Sequence, residues 1–425
     1  APTEPEHLDV LIVGAGISGI GEAHHLSSRR RATRFAVLES KPTFGGTWVT
    51  HTFPGIRSDS DLFTFGYGFK PWKGDPIASR QQILDYLGGA IEDANLGPHI
   101  RYGHKVQSAE WSSEAASWTL AVERSDIEGL VHLQGRFLWM CQGYYRHSHG
   151  YTPDWPGLAQ FQGQVVHPQH WPDDLDLSGK QVTVIGSGAT AATLIPALAD
   201  SCAHVTMLQR TPTYFAAGRN ADSLADELRK LYVDDAWIHE IMRRKVVRDR
   251  ADLLERAQAA PDKLKKLLID GVKACLPEGF DVDRHFTPPY KPMQQRVAFV
   301  PDGDLFKAIK SGKATIVTDE IATFTEQGIL LKLVTWVQQA EYDIVTSRKD
   351  WNFMRGKASG KMTYIDRPGE LAKCEMIVAV SQTAEITVDG NSLVLHHQDA
   401  FLDASNCKIH LNNGALAHIT LNKSL

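Results

Sequence analysis

The chain contains few cysteines, and no two of them are closely spaced. Among its 425 residues there are five cysteines, which are scattered, odd in number and never arranged as CxxC: Cys141, Cys202, Cys275, Cys374 and Cys407. This distribution argues against a disulfide framework and against a redox-active cysteine pair. We also predict no metal site. His24 and His25 are adjacent and would point about 100° apart on a helix, and His167 and His170 have no carboxylate or cysteine partner at ligand spacing.

Long hydrophobic runs and a basic excess are also missing. The 45 Lys and Arg residues against 50 Asp and Glu residues give a net charge of -5, which leaves no basic footprint for nucleic acid and no polybasic patch for anionic lipid. No apolar run reaches the length of a membrane span, and a first strand that begins at Val10 leaves no room for a signal peptide before it. We therefore expect a cytoplasmic protein with no nucleic-acid partner and no transmembrane segment.

Two glycine fingerprints are present, each between an apolar strand-like run and a helix-like run. The first, GAGISG, follows residues 10–13, and the second, GSGATA, follows residues 182–185; their specified positions are Gly14, Gly16 and Gly19, and Gly186, Gly188 and Ala191. The first glycine permits a tight strand-to-helix turn, the second lets backbone approach a pyrophosphate, and the third position lets helix pack on strand. The fold class predicted is α/β, with two Rossmann-like dinucleotide-binding domains. The flavin disulfide reductases share this layout, but they need the cysteine pair that this chain lacks.

In each dinucleotide-binding domain, the residues just after the second strand indicate which dinucleotide binds there. After the first fingerprint, the strand at 34–38 ends in Glu39, whose carboxylate can accept hydrogen bonds from ribose hydroxyls, as FAD or NAD requires. After the second, the strand at 204–208 is followed by Gln209, Arg210 and Thr211. A guanidinium pairs with a 2′-phosphate, which a carboxylate would repel. The second site is therefore predicted to bind NADPH, whereas a solvated surface charge is the alternative for Arg210.

A third motif lies between the fingerprints, at FQGQVVHPQHWP. Its residues Phe161, Gly163, His167, Trp171 and Pro172 are spaced as FxGxxxHxxxWP. This motif resembles the signature of the Baeyer–Villiger monooxygenases, a branch of the class B flavin monooxygenases. The runs FGGTW, FPGIRSDSD, GYYRHSHGY, LQRTPTY and RVAFVPDGDLF are similar to the subgroup that contains the mycobacterial ethionamide-activating monooxygenase. The resemblance covers residues 7 to about 334.

The resemblance implies cofactors, substrates and residue roles. It implies FAD at the first fingerprint, with Gly46, Thr47 and Trp48 in a turn against the flavin, and NADPH at the second. Arg296 matches the arginine that stabilises the flavin peroxide anion, Asp59 matches the carboxylate that positions this arginine, and His167 matches a hinge histidine. For Arg296 a surface salt bridge is the alternative, and for His167 a packed linker residue. The implied substrates are molecular oxygen and a small ketone or organosulfur compound.

The predicted domain layout follows from these assignments and from changes of pattern along the chain. Short alternating strands between residues 104 and 141 indicate a meander inserted in the first domain, and helical spacing of leucines over 221–276 indicates a helical insertion, with the basic residues at 243–250 on a solvated face. The predicted parts are an FAD-binding domain at 1–145, an NADPH-binding domain at 146–220, a helical insertion at 221–280, the return of the NADPH-binding domain at 281–334, and a divergent C-terminal part of the FAD-binding domain at 335–425.

The chain departs from the family pattern near Thr335. The family continues with a strand that ends in Asp, aliphatic residues and Ala-Thr-Gly, and the nearest counterpart here is the segment from Glu375 to Ser381, in which Thr and Gly are replaced. Three functions are therefore considered. The first is a Baeyer–Villiger monooxygenase, the second is a sulfur- or nitrogen-oxygenating flavin monooxygenase, and the third is a non-catalytic or uncoupled flavoprotein.

Overall fold

The computed structural model describes residues 5–332 and, beyond them, only the backbone of six strands between residues 342 and 423. The chain divides into two compact units, residues 1–151 with 166–317, and residues 152–165 with 318–425. Both predicted dinucleotide folds lie in the first unit, and the domain boundaries drawn from the sequence stay predictions. No helix among the described residues is long and apolar enough to cross a bilayer.

Around each fingerprint, a strand, a helix and a second strand follow one another. The strands are β1 Glu6–Val13, β2 Phe35–Leu38, β3 Ile100–Arg101, β4 His104–Ser112, β5 Ser117–Arg124, β6 Leu130–Met140, β7 Gln181–Ile185, β8 His204–Gln209, β9 Tyr214–Gly218, β10 Val297–Pro301, β11 Ala314–Thr318, β12 Ile321–Thr325, β13 Gly328–Leu331, β14 Tyr342–Asp343, β15 Met354–Thr363, β16 Glu375–Asp389, β17 Ser392–His397, β18 Lys408–His410 and β19 Leu416–Lys423. The helices are α1 Ile17–Arg29, α2 Thr47–Thr50, α3 Leu62–Phe65, α4 Arg80–Asp93, α5 Ala189–Leu198, α6 Ser223–Lys230, α7 Asp235–Ala259, α8 Pro261–Cys275, α9 Val282–Phe286 and α10 Asp304–Lys310. The elements around the fingerprints are β1, α1 and β2 at the first and β7, α5 and β8 at the second.

The first dinucleotide fold is a six-stranded sheet in the order β3-β2-β1-β6-β5-β4. Strand β1 runs parallel to β2 and to β6, and β4, β5 and β6 form the predicted antiparallel meander. Alternate residues of β1 point to opposite faces. Ile12 packs with Ile20 of α1 and Ile83 of α4, whereas Leu11 packs with Leu120 and Leu133 of the meander. Both faces of β1 are therefore buried, as expected for a parallel strand.

The second dinucleotide fold is built on parallel strands β7 and β8, with β11 on the other side of β8. Strands β9 and β10 form a separate parallel pair. One apolar cluster joins these strands to helices α5, α8, α9 and α10, and it includes Leu198, Met207, Phe215, Phe286 and Phe306. The α/β fold with two Rossmann-like dinucleotide folds, predicted from the two fingerprints, is confirmed.

Helices α6, α7 and α8 occupy the range in which a helical insertion was predicted. The predicted solvated face holds for Arg244, Arg248 and Arg250, which are exposed, but it is wrong for Arg243. The Arg243 guanidinium is half-buried and donates from Nη1 to the carbonyl oxygens of Phe63 (2.7 Å) and Gly66 (3.0 Å). These carbonyls lie at the C-terminal end of α3, where helical oxygens have no partner within the helix. Arg243 therefore fastens α7 to α3.

In the second unit, residues 152–165 contact the hairpin of β12 and β13. The Gln162 amide donates to the Glu326 carbonyl (2.9 Å), and the rings of Trp155 and Phe161 lie 5.6 and 5.9 Å from the Phe324 ring. The backbone strands beyond residue 341 form a sheet in the order β14-β15-β16-β17-β19-β18. The segment 375–381, which was matched to the family's flavin-contact strand, lies outside the residues whose side chains the structure describes.

Candidate functional site

The first fingerprint forms a closely packed turn between β1 and α1. Gly14 has φ +104°, and a Cβ there would lie 2.7 Å from the Cys141 carbonyl oxygen. A Cβ on Gly19 would overlap the carbonyl oxygen of Gly14, and one on Gly16 would lie 3.5 Å from the Cα of Gly46. The N-cap of α1 is Gly16, and it makes no side-chain cap. The first N–H groups of the helix are thus available to an anion such as a pyrophosphate.

Glu39 lies at the carboxyl end of β2, beside this turn. Its carboxylate is buried; Oε2 accepts from the Ala15 amide (2.8 Å), while Oε1 accepts from the Lys41 amide (2.9 Å) and the Ser40 hydroxyl (3.3 Å). A carboxylate has about four acceptor sites, so these contacts leave capacity for one ribose hydroxyl. Glu39 also ties the fingerprint loop to β2.

The run FGGTW forms a turn before α2, as its resemblance to the family implied. Gly45 and Gly46 have φ +129° and +55°, and the Gly45 amide donates to the Ala15 carbonyl (2.9 Å). Thr47 then begins α2, and the Trp48 carbonyl accepts from Arg80 Nε (2.5 Å). The turn therefore places its backbone against the fingerprint loop, where it can contact a cofactor bound there.

The second fingerprint is more open than the first. Gly186 has φ +132°, and no described heavy atom lies within 4 Å of a Cβ built on Gly186 or Gly188. Helix α5 begins after Gly188 without a side-chain cap. Ala191 is buried, so this turn accommodates the methyl group that the first turn excludes at Gly19. The open glycine backbone next to a free helix N-terminus fits a second pyrophosphate.

Arg210 and Thr211 follow the last residue of β8. The Arg210 side chain is exposed, and within residues 5–332 no carboxylate forms an ion pair with it. The Thr211 carbonyl accepts from the Ser187 hydroxyl (3.1 Å), and the same hydroxyl shares a hydrogen bond with Thr213 (2.8 Å). The loop that carries Arg210 is thus fixed to the fingerprint turn while its guanidinium is available for a ligand.

The structure brings Asp59 and Arg296 together. Arg296 Nη1 lies 2.7 Å from Asp59 Oδ2, and the side chains are 60% and 35% exposed. Asp59 belongs to the loop between α2 and α3, and Arg296 immediately precedes β10. The ion pair consequently joins the two dinucleotide folds. The ion pair engages one nitrogen of the Arg296 guanidinium. Because a guanidinium has five N–H donors, the remaining donors can bind a ligand.

Tyr145 lies within electrostatic reach of this ion pair and beside His51, and sequence reasoning missed both residues. The Tyr145 ring lies 5.0 Å from the His51 ring and 4.6 Å from the Tyr144 ring. Burial lowers the pKa of His51. Burial and the Asp59 charge raise the pKa of Tyr145 to about 12, although Arg296 opposes the shift. Tyr145 does lie in the run GYYRHSHGY, but no spacing rule singles it out.

The FxGxxxHxxxWP residues are divided between the two units. Phe161 and Gly163 belong to the second unit, and His167, Trp171 and Pro172 belong to the first. The His167 ring packs directly on Gly150, where a Cβ would overlap the imidazole, and its Nδ1 accepts from the Gln169 amide (3.2 Å). Trp171 packs against the core of the second dinucleotide fold. His167 is therefore a packed residue that contacts the loop at 142–151.

Gln169 occupies an unspecified position of the same motif, and no feature of the sequence singles it out. Its side chain is buried, and Nε2 donates to the Arg146 carbonyl (2.6 Å). Gln169 and His167 together fasten the 142–151 loop. Because the contact joins residues 23 positions apart, only the folded chain reveals it.

Two further contacts join the dinucleotide folds. Arg57 forms a bidentate pair with Asp304, at 2.5 and 3.2 Å. The Asn220 side chain exchanges hydrogen bonds with the backbone of Ile77, at 2.8 and 2.9 Å. These contacts keep the two fingerprints, and the Asp59–Arg296 pair between them, in a defined arrangement.

Comparison with known families gives two matches. The family of flavin-binding monooxygenase-like proteins matches residues 76–224, and the NAD(P)-binding Rossmann-like domain matches residues 12–87.

The chain is 45% identical over 328 residues to the FAD-containing monooxygenase EthA of Mycobacterium tuberculosis, and this alignment covers 77% of this chain and 66% of EthA. It is 42% identical over 352 residues to the putative FAD-containing monooxygenase MymA of the same species, covering 82% of this chain and 70% of MymA. The chain thus spans about two thirds of the length of these relatives.

Solved structures show the same fold. A steroid monooxygenase bound to NADP matches with a TM-score of 0.63 and 24% identity, over 77% of this chain and 68% of that one. A cyclohexanone monooxygenase from Rhodococcus sp. Phi1 bound to NADP+ matches with a TM-score of 0.61 and 22% identity, over 77% and 68% of the two chains. The cofactors predicted from the sequence, FAD and NADPH, agree with the relatives and with these structures.

Proposed function

The chain belongs to the class B flavin monooxygenases, and on this premise we propose that it is an NADPH- and oxygen-dependent Baeyer–Villiger monooxygenase of small ketones. The reaction consumes one ketone, NADPH, a proton and O2, and it yields an ester or lactone, NADP+ and water. The observation that carries the proposal is the ion pair between Asp59 and Arg296 at 2.7 Å. This pair lies between two dinucleotide folds and is accessible to a ligand.

The residues around the two turns fit the two cofactors. FAD would be held by the backbone of Gly14, Gly16 and Gly19, by Glu39, and by the turn from Gly46 to Trp48. NADPH would be held by the turn from Gly186 to Ala191, by the Arg210 guanidinium at the 2′-phosphate, and by Thr211. When bound, FAD supplies hydride acceptance and oxygen activation, while the protein supplies position and electrostatics.

Arg296 and Asp59 divide the electrostatic work. A guanidinium stays protonated at any working pH, so Arg296 presents a permanent positive charge to the negative charge that develops during oxygen transfer. Asp59 Oδ2 lies 2.7 Å from Arg296 Nη1 and restrains the position of the guanidinium, while Asp59 Oδ1 accepts from the Ser60 hydroxyl (3.4 Å). Asp59 is thus a positioning residue for Arg296.

The test is the yield of oxygenated product per NADPH consumed, measured with a cyclic ketone and with a cyclic sulfide of the same ring size. We expect ester or lactone from the ketone, with a yield well above the yield of hydrogen peroxide. Sulfoxide without ester would favour a sulfur- or nitrogen-oxygenating flavin monooxygenase.

The third candidate function is an uncoupled flavoprotein. It is favoured by one observation: Thr and Gly of the family's Ala-Thr-Gly segment are replaced in the stretch from Glu375 to Ser381. In that case NADPH oxidation would yield hydrogen peroxide in place of any oxygenated product, with the ketone and with the sulfide alike.

A further inference from the structure

Tyr145 lies near both the predicted flavin turn and the Asp59–Arg296 pair. The chain leaves β6 beside the first fingerprint, since the Cys141 amide donates to the Val13 carbonyl (2.8 Å). Four residues later, the Tyr145 ring lies 5.0 Å from His51, the residue that ends α2 after the glycine turn. The phenol is also within electrostatic reach of both Asp59 and Arg296. Tyr145 therefore borders the space in which the oxygen transfer is proposed to occur.

The Tyr145 hydroxyl has a hydrogen available for a ligand. Tyr144 donates to Tyr145 Oη (3.4 Å), and no acceptor for the Tyr145 hydrogen occurs in the part of the chain whose side chains are described. The side chain is 41% exposed. Its pKa, raised to about 12 chiefly by burial, keeps the phenol protonated at neutral pH. The hydroxyl is therefore an accessible donor and not a base.

The loop that carries Tyr145 is fixed on its C-terminal side. Gln169 donates to the Arg146 carbonyl (2.6 Å), and the His167 ring fills the space over Gly150. A donor held by such contacts is oriented before the substrate binds, which is the condition for electrostatic stabilisation of developing charge.

Ketone and sulfide oxygenation place different demands on this donor. At a ketone, an oxygen nucleophile forms a C–O bond with the carbonyl carbon, and the π electron pair moves onto the carbonyl oxygen, which becomes anionic. At a sulfide, the sulfur lone pair forms the S–O bond while the O–O bond of the peroxide donor breaks, and its electron pair leaves with the other oxygen. A sulfide has no carbonyl oxygen that could become anionic. A phenol O–H directed at the carbonyl oxygen thus assists only the first reaction.

On these grounds we propose that the Tyr145 hydroxyl donates a hydrogen bond to the carbonyl oxygen of the substrate and thereby sets the preference for ketones over sulfides. The inference rests on the proposed function, because it requires a carbonyl substrate at the Asp59–Arg296 pair. It assigns Tyr145 a direct contact with substrate, whereas Gln169 and His167 act through the loop.

The first test compares Tyr145→Phe with the unsubstituted protein on a cyclic ketone and a cyclic sulfide. Loss of a hydrogen bond to a developing charge should lower kcat/KM for the ketone about ten- to a hundredfold, while kcat/KM for the sulfide changes little. Tyr151→Phe is the matched control, since Tyr151 lies in the same loop and is 85% exposed. An unchanged ketone-to-sulfide ratio in Tyr145→Phe would overturn the inference, as would an equal loss for both substrates.

The second test measures binding without turnover. Calorimetric titration of the oxidised holoprotein with a cyclic amide, an unreactive carbonyl acceptor, should give a several-fold weaker affinity in Tyr145→Phe, whereas a cyclic thioether should bind equally to both proteins. Equal amide affinity in the two proteins would refute the contact. If the unsubstituted protein forms sulfoxide but no ester, the proposed function fails and the inference fails with it. If the unsubstituted protein forms ester but Tyr145→Phe has an unaltered ketone-to-sulfide ratio, the inference about Tyr145 fails while the proposed function stands.

Discussion

Replacing Arg296 with alanine separates the role of this residue in oxygen transfer from its role in the fold. The Asp59–Arg296 pair is a single contact between side chains that are 35% and 60% exposed. Exposed pairs of this kind contribute at most about 1 kcal/mol to stability. The neighbouring Arg57–Asp304 pair and its two hydrogen bonds continue to join the two dinucleotide folds. Arg296→Ala should therefore fold and melt almost as the unsubstituted protein does.

The expected loss lies in oxygen transfer. Removing one donor that stabilises developing negative charge lowers turnover about a hundred- to a thousandfold. Hydride transfer from NADPH to the flavin needs no such donor, so NADPH should still reduce the flavin, and hydrogen peroxide should replace the oxygenated product. Asp59→Ala leaves the charge in place and removes only its orienting partner. We expect a smaller loss there, about ten- to a hundredfold.

The assay is the stoichiometry of ester, hydrogen peroxide and NADPH, with thermal melting as the check on folding. Arg296→Lys separates charge from shape, because lysine keeps the charge without the planar fork. Arg244→Ala is the matched control: Arg244 is 79% exposed, and its one ion pair among residues 5–332 is with Glu240 on its own helix. A normal ester yield in Arg296→Ala, with the control unaffected, would show that the guanidinium takes no part in oxygen transfer.

Three further predictions concern the cofactors and the fold. Arg210→Ala should lower the preference for NADPH over NADH, measured as kcat/KM, about ten- to a hundredfold. Arg219 is another exposed arginine of the same fold, and Arg219→Ala should leave this preference unchanged. Equal effects of the two substitutions would refute the assignment of Arg210 to the 2′-phosphate. Gly19→Ala should reduce the FAD content seen in the visible spectrum, because the added methyl group overlaps the Gly14 carbonyl oxygen. We expect this overlap to cost about 1–3 kcal/mol of stability. Gly68→Ala is the control, since its methyl group meets no described atom within 4 Å, and it should retain FAD. Burial lowers the pKa of His239, so folding favours its neutral form, and this contribution to stability is complete above the unfolded-state pKa of about 6.5. The contribution is lost as the pH falls through the lower pKa of the folded state. His239→Gln should therefore flatten the decrease in Tm below about pH 6.5.

The cofactor turns were predictable from the sequence because they are local. A strand, a glycine turn and a helix follow one another within about twenty residues, and the conformations of Gly14 and Gly186 follow from the short-range sterics of φ. The positions of Glu39 and Arg210 follow from the same local order, since each comes at the end of the strand that follows its fingerprint helix. The helical insertion was visible in its leucine spacing for the same reason.

The surroundings of the site depend on contacts between distant parts of the chain, which no local pattern encodes. Arg243 appears as one charge in a basic run, yet it binds carbonyls 177 and 180 residues away. The pairing of Asp59 with Arg296 was indicated only by resemblance to a family. No local pattern singled out Tyr145 or Gln169, because a tyrosine in a loop or a glutamine in a motif gap has the same local appearance whether it faces solvent or packs within the fold. The sequence determined two dinucleotide folds and their cofactor turns; the closure of the chain decided which side chains meet between them, because that choice depends on long-range packing and not on short-range sterics.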